Sequence, residues 1–169
     1  MSDPLRIVAV SAPENESGGM PAERIYSRDP ASLFNAMRVA AMRSDETGNA
    51  WSDSNFAGSR KGRREKLMLM HSLDDMPAFE TLLKKEKPHV LFLGAMSLSM
   101  PGAVACARKA REILGDDVLI VLGGRHTSET IYRENKSNIR HHAGSPLKLM
   151  ADGKLPEGLF DIVVSGYAE

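Results

Sequence analysis

The chain has one cysteine, Cys106, in 169 residues. A lone thiol cannot close an internal disulfide, and it cannot supply a Cys-rich metal cage or the cysteine set of an iron–sulfur cluster. A reducing compartment fits this usage. Net charge is missing as well, because 22 basic and 22 acidic side chains cancel. No global field then draws the protein to nucleic acid or to an anionic membrane. No apolar run approaches the roughly 20 residues of a membrane span, and Met1-Ser2-Asp3-Pro4 lacks the positive charge that opens a signal peptide. A cytoplasmic protein with neither nucleic acid nor membrane as partner is expected. Two phosphate-binding signatures are absent too: the glycine fingerprint after the first apolar run, and the Gly-Lys-Ser/Thr loop. Ordinary dinucleotide and nucleoside triphosphate sites lose their support. No Ser–His–Asp or paired-carboxylate set can be assembled from spacing, so hydrolase chemistry has no positive support in the sequence.

What is present is a rhythm. Five short apolar runs, residues 5–10, 66–70, 89–93, 118–122 and 160–164, are continuous rather than alternating. Such runs belong to strands buried on both faces, as in parallel sheets covered by helices. Residues 30–43 place Leu33, Phe34, Met37, Ala40 and Ala41 on one helical face, behind Asp29 as N-cap and Pro30 at the first helical position. Residues 76–85 carry Phe79, Leu82 and Leu83 before Lys87-Pro88, and residues 103–114 carry Val104, Ala107, Ile113 and Leu114 before Gly115. This alternation, with right-handed crossovers, predicts one α/β domain over residues 1–169. Its form is a doubly wound five-stranded parallel sheet, flavodoxin-like or Rossmann-like, in strand order 2-1-3-4-5 with helices on both faces. Residues 11–29, 44–65 and 128–158 read as long loops, a class that is usually functional or mobile. The basic run Arg60-Lys61-Gly62-Arg63-Arg64 lacks interleaved aromatics and reads as a solvated face.

In a doubly wound sheet the ligand crevice opens beyond the C-terminal strand ends, at the switch point. The loops concerned are Ser11-Ala12-Pro13, then Gly94-Ala95-Met96-Ser97-Leu98-Ser99-Met100-Pro101, then Gly123-Gly124-Arg125-His126-Thr127. Small residues there let a ligand approach the backbone, and hydroxyls and amides can bind amide, phosphate or ribose groups. The Gly pair serves either such an approach or a tight turn. His126 reads as a hydrogen-bond partner for a ligand or as a turn residue capping the next helix. Met96 and Met100 flank the crevice as apolar cover or as gap-fillers. Cys106 reads as packing, and His71, His89, His141 and His142 as surface residues without metal-ligand spacing.

The run His89-Val90-Leu91-Phe92-Leu93-Gly94-Ala95-Met96-Ser97-Leu98, the turn Gly123-Gly124-Arg125-His126, and the closing Phe160-Asp161-Ile162-Val163-Val164-Ser165-Gly166-Tyr167-Ala168-Glu169 together resemble the N-terminal cobalamin-binding domain of radical S-adenosylmethionine (radical SAM) enzymes. Those domains read as an apolar strand, a Gly-Gly-x-His turn and a strand ending Gly-Glu-Gly-Glu. The resemblance implies cobalamin held by Ser11, Gly94, Met96, Ser97, Leu98, Gly123, Gly124, Arg125, His126, Gly166 and Tyr167. The nucleotide tail would enter between the third, fourth and fifth strand ends, with the corrin over the sheet edge. Met96 stands where methionine synthase-type modules have Ser. Their cobalt-ligating Asp-x-His-x-x-Gly motif is missing after the first strand, and Asp53-Ser54-Asn55-Phe56-Ala57-Gly58 imitates it with Asn in another place. Base-off cobalamin without a histidine from that motif is therefore implied.

Methyl transfer is the activity such a resemblance most commonly implies. The [4Fe–4S] cluster and S-adenosylmethionine would belong to a radical SAM catalytic domain in cis or trans, because one cysteine cannot hold the cluster. The chain would then be the N-terminal part of a larger protein or a freestanding relative. The competing expectation is a non-catalytic module that kept the fold, lost cobalamin, and serves substrate recruitment or protein contact.

Overall fold

The computed structural model describes residues 4–17, 25–26, 63–135 and 138–166. In chain order the elements are β1 (Leu5–Ser11), β2 (Ile25–Tyr26), β3 (Arg63–Leu69), α1 (Met76–Glu86), β4 (Val90–Gly94), α2 (Met100–Leu114), β5 (Leu119–Gly123), α3 (Arg125–Thr130), β6 (Ile131–Asn135), β7 (Asn138–His141), α4 (Pro146–Ala151) and β8 (Ile162–Val163). The apolar runs become strands because they can be buried on both faces. One face sets Val8, Val10, Met68, Leu91, Leu93, Ile120 and Leu122 against α1 and α2, and the other buries Ile7, Ala9 and Leu67 beside Val90 and Phe92. The helix predicted over residues 30–43 lies outside the described residues.

The main sheet runs β2-β3-β1-β4-β5-β8. The five strands from β3 to β8 pair in parallel, which is the predicted order 2-1-3-4-5. The two-residue β2 pairs antiparallel on the outer side of β3, inside a stretch that reads as loop. Strand β3 begins earlier than its apolar run, because parallel pairing with β1 extends to Leu5 opposite Arg63. The end of the basic run is therefore strand, and its Arg64 is not simply solvated. Its Nη2 donates to Glu86 Oε1 at 3.1 Å, and its Nε lies 2.9 Å from Oε2 of the same buried carboxylate.

Helix α1 buries Phe79, Leu82 and Leu83 and ends at Lys87, which takes the left-handed conformation (φ 42°) just before Pro88. Helix α2 starts at Met100, three residues ahead of the apolar stripe, with Pro101 in its first turn where a missing N–H does no harm. Met100, Ala103, Cys106, Ala107 and Ala110 face the sheet. Gly102 is needed there, since a Cβ would collide with the Pro13 carbonyl oxygen.

Residues 128–158 are not one loop. They hold the end of α3, the hairpin β6–β7 and α4. The hairpin is largely exposed, Tyr132 and Ile139 included, and His142 anchors it by donating its N–H to Thr130 O (2.9 Å) and stacking on Tyr132. His89 is also no plain surface residue, because its Nδ1 accepts the Arg6 N–H at 3.1 Å. Among the described residues no helix is long and apolar enough to cross a membrane.

Candidate functional site

Pairing register aligns three strand ends. Ser11 faces Gly94, and Gly94 faces Gly123. Beyond that line the backbones remain tied: Ala12 N–H donates to Gly94 O and Ala95 N–H to Gly123 O, both at 3.0 Å. The loop after β1 is held to the end of β3, where Asn15 N–H and Nδ2 donate to His71 O and Leu73 N–H donates to Asn15 O. At the switch point between β1 and β4 lies a hollow of about 310 Å³, lined by Ser11, Glu14, Leu67, Leu69, Gly94, Ala95, Met96, Ser99, Gly124 and Arg125. A larger hollow of about 520 Å³, lined by Arg6, Lys87, Pro88, His89, Ile113, Leu114 and Asp117, lies at the opposite edge. The switch-point rule selects the first.

The two glycines after β5 do different things. Gly124 has φ +103°, and a Cβ there would stand 2.6 Å from Ala95 O and 2.7 Å from Ala95 N. The loop after β4 fills that space, and His126 N–H donates to Ala95 O at 3.1 Å. Gly124 is thus a packing requirement of the chain itself. Gly123 would carry a Cβ whose nearest neighbour is Val164 Cβ at 4.0 Å, so the space beside this strand end is open.

The loop after β4 is folded by Ser99, whose Oγ accepts the Met96 N–H at 2.8 Å and whose N–H donates to Met96 O at 3.1 Å. That turn pushes its middle outward: Met96 is 49% and Leu98 75% exposed, and Ser97 is exposed between them. Met100, by contrast, is buried in the core, so only Met96 of the methionine pair can cover a ligand.

His126 is only 7% exposed. Its Nε2 lies 3.0 Å from Gly144 O and its Nδ1 3.2 Å from Ser97 Oγ. A carbonyl can only accept, so Nε2 carries the hydrogen, and in the neutral ring Nδ1 offers its lone pair to the Ser97 hydroxyl. Both nitrogens are engaged within the chain, and the ring turns toward the loop before α4 instead of standing free in the crevice. Ser97 Oγ also lies 3.3 Å from Glu129 Oε2, while Arg125 Nε holds Glu129 Oε1 at 2.6 Å. The Arg125 guanidinium, hydrogen-bonded to it, keeps the Glu129 carboxyl below its usual range.

Thr127 Oγ1 reaches both Gly124 O (2.8 Å) and Val164 O (2.5 Å). Gly166, with φ +95°, donates its N–H to Ser128 Oγ at 3.0 Å. The structure therefore brings Ser11, Gly94, Met96, Ser97, Leu98, Gly123, Gly124, Arg125, His126 and Gly166 to one edge. Tyr167 lies outside the described residues. Sequence reading missed Glu129, whose signal is the four-residue spacing from Arg125, and Gly144, which has no signal short of the fold. Among the described residues no group of three or more His, Cys, Asp or Glu side chains could hold a metal ion.

No family model matches the chain, and no curated protein matches it. Among solved structures it aligns with a novel cobalamin-binding protein from Desulfitobacterium hafniense DCB-2, at 11% identity and a TM-score of 0.46 over 98% of this chain and 55% of that one. The chain thus spans about half the length of that structure. The topology described above stands on the strand pairings themselves.

Proposed function

We propose that the chain is a cobalamin-binding domain that takes its cofactor at the C-terminal edge of the sheet. The observation that carries this reading is the open backbone cradle at Gly123, level with Gly94 and flanked by the exposed loop from Met96 to Leu98. A cofactor with a slender polar tail and a broad apolar face needs both. The tail would pass Gly123 and Gly94 with Ser97 and Gly166 offering polar contacts, and Met96 and Leu98 would cover the broad face. Gly124 would offer its backbone alone, because Ala95 stands where a side chain would go. His126 enters only through Ser97, and on this reading cobalamin would bind base-off with no ligand from His126.

Bound cobalamin supplies the cobalt chemistry, of which methyl transfer is the form the sequence resemblance implies. This chain's residues bind and orient. The reaction partner on this reading is a radical SAM catalytic domain, in cis or trans, carrying the cluster and S-adenosylmethionine.

Gly123→Val tests the placement. A β-branched residue suits a strand end, and the atom nearest its Cβ would be Val164 Cβ at 4.0 Å. Hydroxocobalamin affinity should fall at least tenfold with the melting temperature unchanged. Unchanged affinity in the folded variant would overturn the placement. A wild-type protein that binds no corrin would leave the non-catalytic module as the reading.

A further inference from the structure

Ser97 comes from the loop after β4, His126 from α3 and Gly144 from the loop before α4, and nothing in their sequence spacing joins them. The fold sets them in line: Ser97 Oγ, 3.2 Å to His126 Nδ1, then His126 Nε2, 3.0 Å to Gly144 O. We propose that this line is a nucleophile, base and orienting acceptor for acyl transfer from small carboxylic esters, with Ser97 as the attacking group. Three features separate it from an ordinary surface hydrogen bond. The hydroxyl is exposed while the base behind it is buried, so a substrate reaches the nucleophile and water scarcely reaches the imidazole. The Gly144 carbonyl fixes the tautomer, so the Nδ1 lone pair faces the Ser97 hydroxyl, whose single hydrogen turns between Nδ1 at 3.2 Å and Glu129 Oε2 at 3.3 Å; fixing the tautomer is the orienting job an aspartate does in the usual triad. Gly144 has φ +87°, a conformation that favours glycine, and its carbonyl lies 3.0 Å from the Nε2 it orients.

The surroundings supply a countercharge and an apolar neighbour. The Glu129 carboxylate, 3.3 Å from Ser97 Oγ, offsets the imidazolium charge that forms when His126 takes the proton. The apolar hollow next to Met96 offers Leu67, Leu69 and Ala95 to an acyl chain and Arg125 as a cation at its rim.

The step balances with water alone. The Ser97 proton moves to Nδ1 as the Oγ–C bond forms on the ester carbonyl. The C–O bond to the alkoxide then breaks as Nδ1 returns the proton to it, leaving acyl-Ser97 and an alcohol. Water adds to the acyl carbon with His126 again taking the proton, the Oγ–C bond breaks, Ser97 recovers its hydrogen, and the acid is released. No cofactor takes part.

Diisopropyl fluorophosphate is the probe, used on the whole chain without cobalamin, because its phosphorus accepts the serine oxygen and expels fluoride by the same proton transfer. Mass spectrometry should find one diisopropylphosphoryl group, on the Ser97 peptide, absent in Ser97→Ala. His126→Gln should slow labelling by about 10²–10⁴-fold, the usual worth of a positioned base, and p-nitrophenyl acetate hydrolysis should fall with it. Wild-type protein left unlabelled at Ser97 would overturn the proposal, whether or not the variants fold. So would a folded His126→Gln variant that labels at the wild-type rate. Neither outcome bears on cobalamin binding.

Discussion

Gly123 and Gly124 are adjacent and chemically identical, yet their substitution should have opposite consequences. Gly124→Ala forces a Cβ onto the Ala95 backbone at a positive φ, and should cost about 2–5 kcal/mol through strain and overpacking together. Gly123→Ala meets nothing closer than 4.0 Å and should stay within about 1 kcal/mol of wild type. Urea titration of both variants checks the pair, and equal losses would contradict the division of roles. The sequence marks the two glycines as a turn, but which of them is packed and which is open depends on Ala95, in the loop after β4 and far upstream in the chain. His126 teaches the same thing. Its place after the glycines is legible, and its partners Ser97 and Gly144 are not, because they meet only in the folded chain. Cys106 is the simpler case, since an apolar helix stripe already implies burial. Burial pushes its thiol up from 9.0 to about 12. The unfolded chain then releases this proton first as pH rises, so the stability tied to Cys106 is intact below about pH 9 and is lost between there and about pH 12. Iodoacetamide at pH 8 should modify Cys106 only as denaturant unfolds the protein. Rapid alkylation of the native state would contradict the buried placement.

Among the elements, the parallel strands are legible because burial on both faces leaves no room for polar alternation. Helices α1 and α2 are legible because each shows one face to that sheet. The two-residue β2, the hairpin β6–β7 and the six-residue α3 and α4 are not, since none is long enough to display a period. What holds such weakly encoded parts is side-chain pinning. Arg111 near the end of α2 donates to Gly115 O, Val118 O and Gly158 O and pairs with Asp161 at 2.6 Å. Asp161 Oδ2 also accepts the Ile120 N–H at 2.6 Å. This clamp joins a helix end, β5 and the approach to β8. Asp161→Ala should cost about 2–3 kcal/mol, as expected for a partly buried charged acceptor whose donors are left behind. Thermal denaturation measures it, and a loss below about 0.5 kcal/mol would show that the clamp is ornamental.

For the whole molecule, sheet order follows from the alternation of strand and helix, and order determines where a ligand can sit. With β1 central and β4 beside it, the switch point falls at Ser11 and Gly94, and pairing register carries the same line on to Gly123. That chain of consequences runs from sequence to site without a detail of side-chain packing. What it cannot supply is the filling of the crevice, where Ala95 closes one glycine and Ser99 turns Ser97 outward. Cobalamin binding therefore depends on whether the space left at Gly123 admits the cofactor. The direct measurement is a visible absorption spectrum of the purified protein after incubation with hydroxocobalamin and desalting. Retained corrin bands near one equivalent, shifted to the base-off form, are the expected result. A colourless protein after saturating cobalamin would contradict it.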